Sequence, residues 1–250
     1  MYRSDFSDLY FEGRIIYEKL FKQLRGGGNQ SLVPSHLAFT LAEVLITLGI
    51  IGVVAAVTMP MLIANYQKKV TVNGLKAAYS LFSQAVERAV QENGSMRDWE
   101  YSYTDMAPKY IFPYIETTAI VKKYTMYTTY GNKDKYGDQK FGFLYWGGWS
   151  NGKIYSLKNG MTYSLIYDHG NLYLTVDING VKGPNQLGRD GFVFNLDTTK
   201  DKLIPYAFGL PRSSLLQDCT KKGTWTYYDG MACASLIISD GWQIKDDYPW

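Results

Sequence analysis

The sequence predicts an α+β fold, with one long amino-terminal helix packed on a small antiparallel β-sheet. Three observations predict it. No charged residue occurs from Val44 to Gln67, a stretch of 24 residues. Directly after it, apolar residues recur at helical spacing. Further on, short aromatic and β-branched runs alternate with Gly, Asn and Asp. A long helix followed by several short strands is the element order of an α+β domain.

The uncharged stretch would be ~36 Å long as a helix at ~1.5 Å per residue, enough to cross a hydrocarbon layer of ~30 Å. Leu75, Ala78, Phe82, Ala85, Val86 and Ala89 then fall on one face, while Lys76, Ser83, Glu87 and Arg88 fall on the other. Asn93-Gly94 supplies the stop, since glycine readily takes the left-handed backbone that closes a helix. The spacing therefore predicts one helix over 39–92, apolar all round in its first half and amphipathic in its second. Pro60 removes one internal hydrogen bond and is expected to bend or loosen a turn. The amphipathic half must bury its stripe on something.

A sheet supplies that surface. Phe141–Trp146, Lys153–Leu157, Met161–Tyr167, Asn171–Ile178 and Gly191–Leu196 read as strands. Asp168-His169-Gly170-Asn171 is a hairpin signal, and connections this short impose antiparallel order. Between helix and sheet, the Tyr- and Lys-rich segment Asp98–Gln139 has little periodicity and reads as a connector. No internal repeat is present.

Composition narrows the function. A net charge of +3 without a basic block gives no indication of nucleic-acid binding. Residues 1–38 carry Arg3, Arg14, Lys19, Lys22 and Arg25 against four acids, and Gly26-Gly27-Gly28-Asn29-Gln30-Ser31 reads as a flexible break. A secretory signal has a core of about 7–15 residues with its small-x-small cut site after it. Here the core is longer and the best cut site precedes it.

The run Ala38-Phe39-Thr40-Leu41-Ala42-Glu43-Val44-Leu45-Ile46, with Gly52 and Pro60 beyond it, resembles the processing site of type IV prepilins and of the pseudopilins of type II secretion systems. The resemblance covers about residues 37–90, and the remainder only in general layout. One departure is that Ala38 stands where the family usually has Gly. The resemblance implies a leader over 1–38 removed by a prepilin peptidase between Ala38 and Phe39, and N-methylation of Phe39. It implies a hydrophobic transmembrane and filament-core helix over 39–67, an amphipathic continuation over 68–92 and a globular pilin-like domain over 93–250. Partners would be the peptidase, other pilin or pseudopilin subunits, an assembly platform protein and the membrane. The chain would sit once across the inner (cytoplasmic) membrane with its domain outside the cytoplasm, then enter a pilus or pseudopilus.

Glu43 would be the fifth residue of the mature chain. In the family this carboxylate neutralises the free amino terminus of a neighbouring subunit, and opposite charges attract strongly in a low-dielectric helix bundle. The alternative is that Glu43 only snorkels to the headgroups. The outside location also places Cys219 and Cys233 in an oxidising compartment, where a pair this close is expected to join. Some minor pilins and pseudopilins carry a comparable bridge. Closing a loop of about 15 residues would stabilise the fold by roughly 3 kcal/mol. Two buried free thiols are the alternative.

Asp177, Asn179 and Asp190 are candidate calcium ligands, being hard oxygen donors around a glycine turn. Pseudopilins of type II secretion carry such a site in their globular domain. Against it, Asp-x-Asn-Gly is also good turn chemistry, and Lys182 and Arg189 could neutralise both acids. Catalysis has little support. The two histidines are His36, in the leader, and His169, beside Asp168 in the hairpin turn. No nucleophile elbow, glycine-rich phosphate loop, HExxH or CxxC accompanies them. The chain reads as a substrate of processing enzymes and not as an enzyme. A function from another class is a membrane-anchored binding protein that captures a glycan or other ligand through its surface tyrosines and never polymerises.

Overall fold

The computed structural model describes residues 41–101, 106–121, 153–168, 170–219 and 230–249. Phe141–Trp146 lies outside them. The chain divides into two units, Met1–Val57 and Thr58–Trp250. Of the first, the described residues are 41–57, all helical.

Helix α1 spans Leu41–Asn93 and includes Pro60 without ending there. The six stripe residues read from the sequence are buried in it, together with Thr71 and Val72. Gly94, at φ +79°, ends it, and its amide donates to the Val90 carbonyl at 2.9 Å. A short 3-10 turn, Met96–Asp98, follows. It is fixed from a distance, because Asp201 Oδ1 accepts from the Met96 amide at 2.7 Å and the Ser95 hydroxyl at 3.1 Å.

The sheet is an antiparallel meander with strands in sequence order: β1 Thr117–Ile120, β2 Tyr155–Leu157, β3 Thr162–Asp168, β4 Asn171–Asp177, β5 Gly191–Asp197 and β6 Lys202–Pro205. The hairpin signal is realised, with Asp168 opposite Asn171 across a two-residue turn and Gly170 at φ +83°. On the helix side, Phe82 meets the Tyr163 ring edge-on at 5.1 Å, and Tyr79 stacks on Phe194 at 5.8 Å. These rings join Leu75, Leu174, Val176 and Phe192 in one buried core.

Two parts depart from the expected layout. Both faces of the sheet centre are buried, whereas a sheet with helix on one side only would show water the other face. Leu172 to Asp177 are buried in succession. Opposite the helix, Tyr173 and Val193 pack with Leu187 and Met231. On that face Ser164 pairs with Thr175, and both hydroxyls are buried without a hydrogen-bond partner among the described residues. The supposed connector is also structured where it is described. It holds a π-turn at Ala107–Ile111, a 3-10 turn at Phe112–Tyr114 and the edge strand β1.

After β6 come two helices of seven residues, α2 Arg212–Asp218 and α3 Cys233–Ser239. A disulfide joins Cys219 at the end of α2 to Cys233 at the start of α3, with the Cα atoms 4.9 Å apart.

Candidate functional site

Helix α1 changes character at Thr71. From Leu41 to Val70 its large apolar side chains are exposed, Leu62 at 72% and Val70 at 50%. From Thr71 onward a stripe is buried, with Leu75 at 0%. The cause lies in the sequence: the uncharged run offers apolar residues on every side, so no face is distinguished, while the later residues alternate charge with stripe. The helix is long and apolar enough to cross a membrane. Glu43 is the acid of its first turn, where a negative charge suits the amino-terminal end of the helix dipole. Ala38 and Phe39 lie outside the described residues.

The loop between β4 and β5 packs on α1 where this change occurs. The Thr71 hydroxyl donates to the Arg189 carbonyl at 3.1 Å. Three residues on, the bare face of Gly74 meets Ile178, where a Cβ would stand 2.7 Å from Ile178 Cδ1. Asp177 at the end of β4 and Asn179 and Asp190 in this loop are the three candidate metal ligands, and the structure does bring them together. Asn179 Nδ2 donates to Asp190 Oδ2 at 3.1 Å, and the Asn179 amide donates to Asp177 Oδ1 at 3.0 Å. Asp190 also accepts from the Asn185 amide at 2.8 Å and the Gln186 amide at 2.5 Å. Burial pushes the Asp190 carboxyl above its ordinary value, while these three donors pull it back down.

That arrangement is turn chemistry: carboxylate oxygens tie down backbone amides that would otherwise be buried without partners. A cation on the same lone pairs would have to displace those donors. Among the described residues no group of three or more His, Cys, Asp and Glu side chains is placed to hold a metal. His169 lies outside the described residues.

Sequence reasoning missed a polar clasp at the carboxyl-terminal end. Arg212, first residue of α2, holds Asp240 with two hydrogen bonds of 2.7 and 2.8 Å, and Asp247 with two of 2.7 and 2.8 Å. Lys245 adds a 2.7 Å bond to Asp240. The Arg212 bonds, opposed by burial and aided by Lys245, hold the Asp240 carboxyl below the usual range, and Arg212 does the same for Asp247. Beyond the clasp, Tyr248 is buried and donates to the Gly188 carbonyl at 2.5 Å. Tyr248 is thus the tail residue inserted into the domain, and Trp250 lies outside the described residues. Trp242 sits near the Tyr79 ring at 6.1 Å, with Lys76 Nζ 5.4 Å from its own ring.

A family model described as a family of unknown function (DUF6613) matches residues 61–250. The chain belongs to this family. Within DUF6613, as this chain represents it, the matched region begins inside α1 and takes in the whole α+β domain. No curated protein and no solved structure matches the chain.

Proposed function

We propose that this DUF6613 member is a prepilin-like structural subunit, of the minor pilin or pseudopilin kind, in a type IV pilus or type II secretion pseudopilus. One observation carries the reading. The helix opens with the solitary acid Glu43 and continues for 24 uncharged residues whose large side chains are exposed. In the family that this segment resembles, an acid at the head of such a surface meets the free amino terminus of a neighbouring subunit. A free amino terminus of a second copy, created by cleavage between Ala38 and Phe39, is a partner of the right charge. The helix would then pack with its copies in a filament core, leaving the domain outside. The joined cysteines accord with an oxidising location.

Mass spectrometry of the mature amino terminus tests this. A chain beginning at a methylated Phe39 is the expected result. An uncut leader on the membrane-bound protein refutes processing and favours the tethered binding protein instead.

A further inference from the structure

We infer that the β4–β5 loop lies on the membrane surface, its exposed tip Val181-Lys182-Gly183-Pro184 meeting anionic lipid headgroups through Lys182. The inference rests on the reading of α1 as a membrane anchor. The uncharged run ends at Gln67, and Lys68-Lys69 follow Tyr66, an aromatic and two cations of the kind that mark a membrane–water boundary. Measured from Lys68, Thr71 lies about 4.5 Å further along the helix and Gly74 about 9 Å, at ~1.5 Å per residue. The headgroup layer is about 5–8 Å deep on each side. The loop touches α1 at these two positions, through Arg189 and Ile178. It is therefore held at headgroup level by the domain's own packing.

The loop is also built to present its tip. Asp177 and Asp190 tie its two ends, and Leu187 and Gly188 are buried in the domain. Residues 181–184 between these anchors are all exposed, Val181 at 58%. An exposed valine beside a lysine suits an interface, where the apolar group enters the acyl boundary and the ammonium stays among phosphates. Asp246 on the carboxyl-terminal tail places its carboxylate 3.9 Å from Lys68 Nζ. Lys182 is exposed, so the tip presents a positive charge to an anionic surface.

The test uses the full chain in vesicles with a fluorophore on Val181→Cys, the native cysteines being joined and unreactive. Lipids carrying a quencher at headgroup depth should quench it in vesicles containing phosphatidylglycerol, and less in pure phosphatidylcholine or high salt. Lys182→Gln should lower the contact about fivefold, as a surface lysine contributes about 1 kcal/mol. A control label at Met59→Cys reports the anchor. Quenching at position 59 with none at 181 overturns the headgroup contact and leaves the anchor standing. Quenching at neither position overturns the anchor itself. Equal quenching at 181 in both lipids refutes the electrostatic recognition.

Discussion

Gly188 lies directly against the sulfur of Cys233: a Cβ at position 188 would stand 2.7 Å from Cys233 Sγ and 3.0 Å from Tyr248 Oη. Its φ of +81° is one that only glycine adopts without strain. One residue without a side chain thus lets three separate parts of the chain meet: the β4–β5 loop, the disulfide and the carboxyl-terminal tail.

Gly188→Ala should therefore destabilise the protein. The left-handed backbone alone costs on the order of 1–2 kcal/mol, and the contact with sulfur adds to it. Thermal melts of the full chain in detergent measure the loss. In a background with both cysteines changed to alanine, the same substitution should cost less, because residues in contact couple in double-mutant cycles. Equal costs in the two backgrounds would show that the sulfur contact does not matter.

The helix should divide energetically where its surroundings change. Leu75 is fully buried against the sheet, while Leu62 is 72% exposed. Leu75→Ala is expected to cost about 2–5 kcal/mol, the range for a buried leucine. Leu62→Ala should leave the melting temperature in detergent near that of the parent, since it packs on nothing in the domain. A comparable loss from both substitutions would mean that the first half of α1 contributes to the stability of the fold.

How far the sequence foretells this fold depends on whether a signal is local. The stripe from Leu75 to Ala89 repeats often enough to specify a helix and its buried face, and Asp168 to Asn171 is a complete hairpin signal. Strand β1 is four residues long and mostly exposed, so no alternation distinguishes it within a Tyr- and Lys-rich segment. Helices α2 and α3 run only two turns each, follow Pro211 and Ala232 at their N-cap positions, and have no side-chain cap. Nothing in so short a stretch announces them. The Arg212 clasp joins residues 28 and 35 positions apart, and neither the pairing nor the role of Gly188 exists before the chain has folded. The Asp177, Asn179 and Asp190 cluster was legible as a cluster. That Asp190 also accepts from the amides of Asn185 and Gln186 is not revealed by residue types.

Acid should loosen the carboxyl-terminal tail. Arg212 holds the Asp240 and Asp247 carboxyls below the ordinary aspartate range. A carboxyl whose folded value is depressed contributes stability that is present above the unfolded value and lost as pH falls through the folded one. Asp197, lowered to about 2 by the Thr199 hydroxyl and the Thr199 and Lys200 groups, adds the same sign in a more acid range. Asp190 works oppositely, since burial raises it: its share is present below the unfolded value and lost as pH rises through the folded one. Subtracting the melting curve of Arg212→Ala from that of the parent across the acid range isolates the clasp. The difference should be largest near neutrality and shrink below about pH 4. A difference independent of pH would show that Arg212 acts by packing and not by charge.

Glu43 gives the sharpest test of assembly, because its proposed role separates insertion from polymerisation. Glutamine at this position keeps the shape of the side chain and lowers the cost of residence near lipid. Glu43→Gln should then reach the membrane as well as the parent, and the proposed cleavage before Phe39 can be followed independently. What it loses is the attraction to the amino terminus of a neighbour. For unit charges ~4 Å apart at an effective dielectric of ~20 that attraction is about 4 kcal/mol, and a third of it is already about tenfold in an equilibrium. Sheared filaments should accordingly contain at least tenfold less of the variant than of the parent at equal membrane levels. Incorporation at the parental level would leave the carboxylate without a role in packing, and the exposed apolar helix would then be an anchor alone.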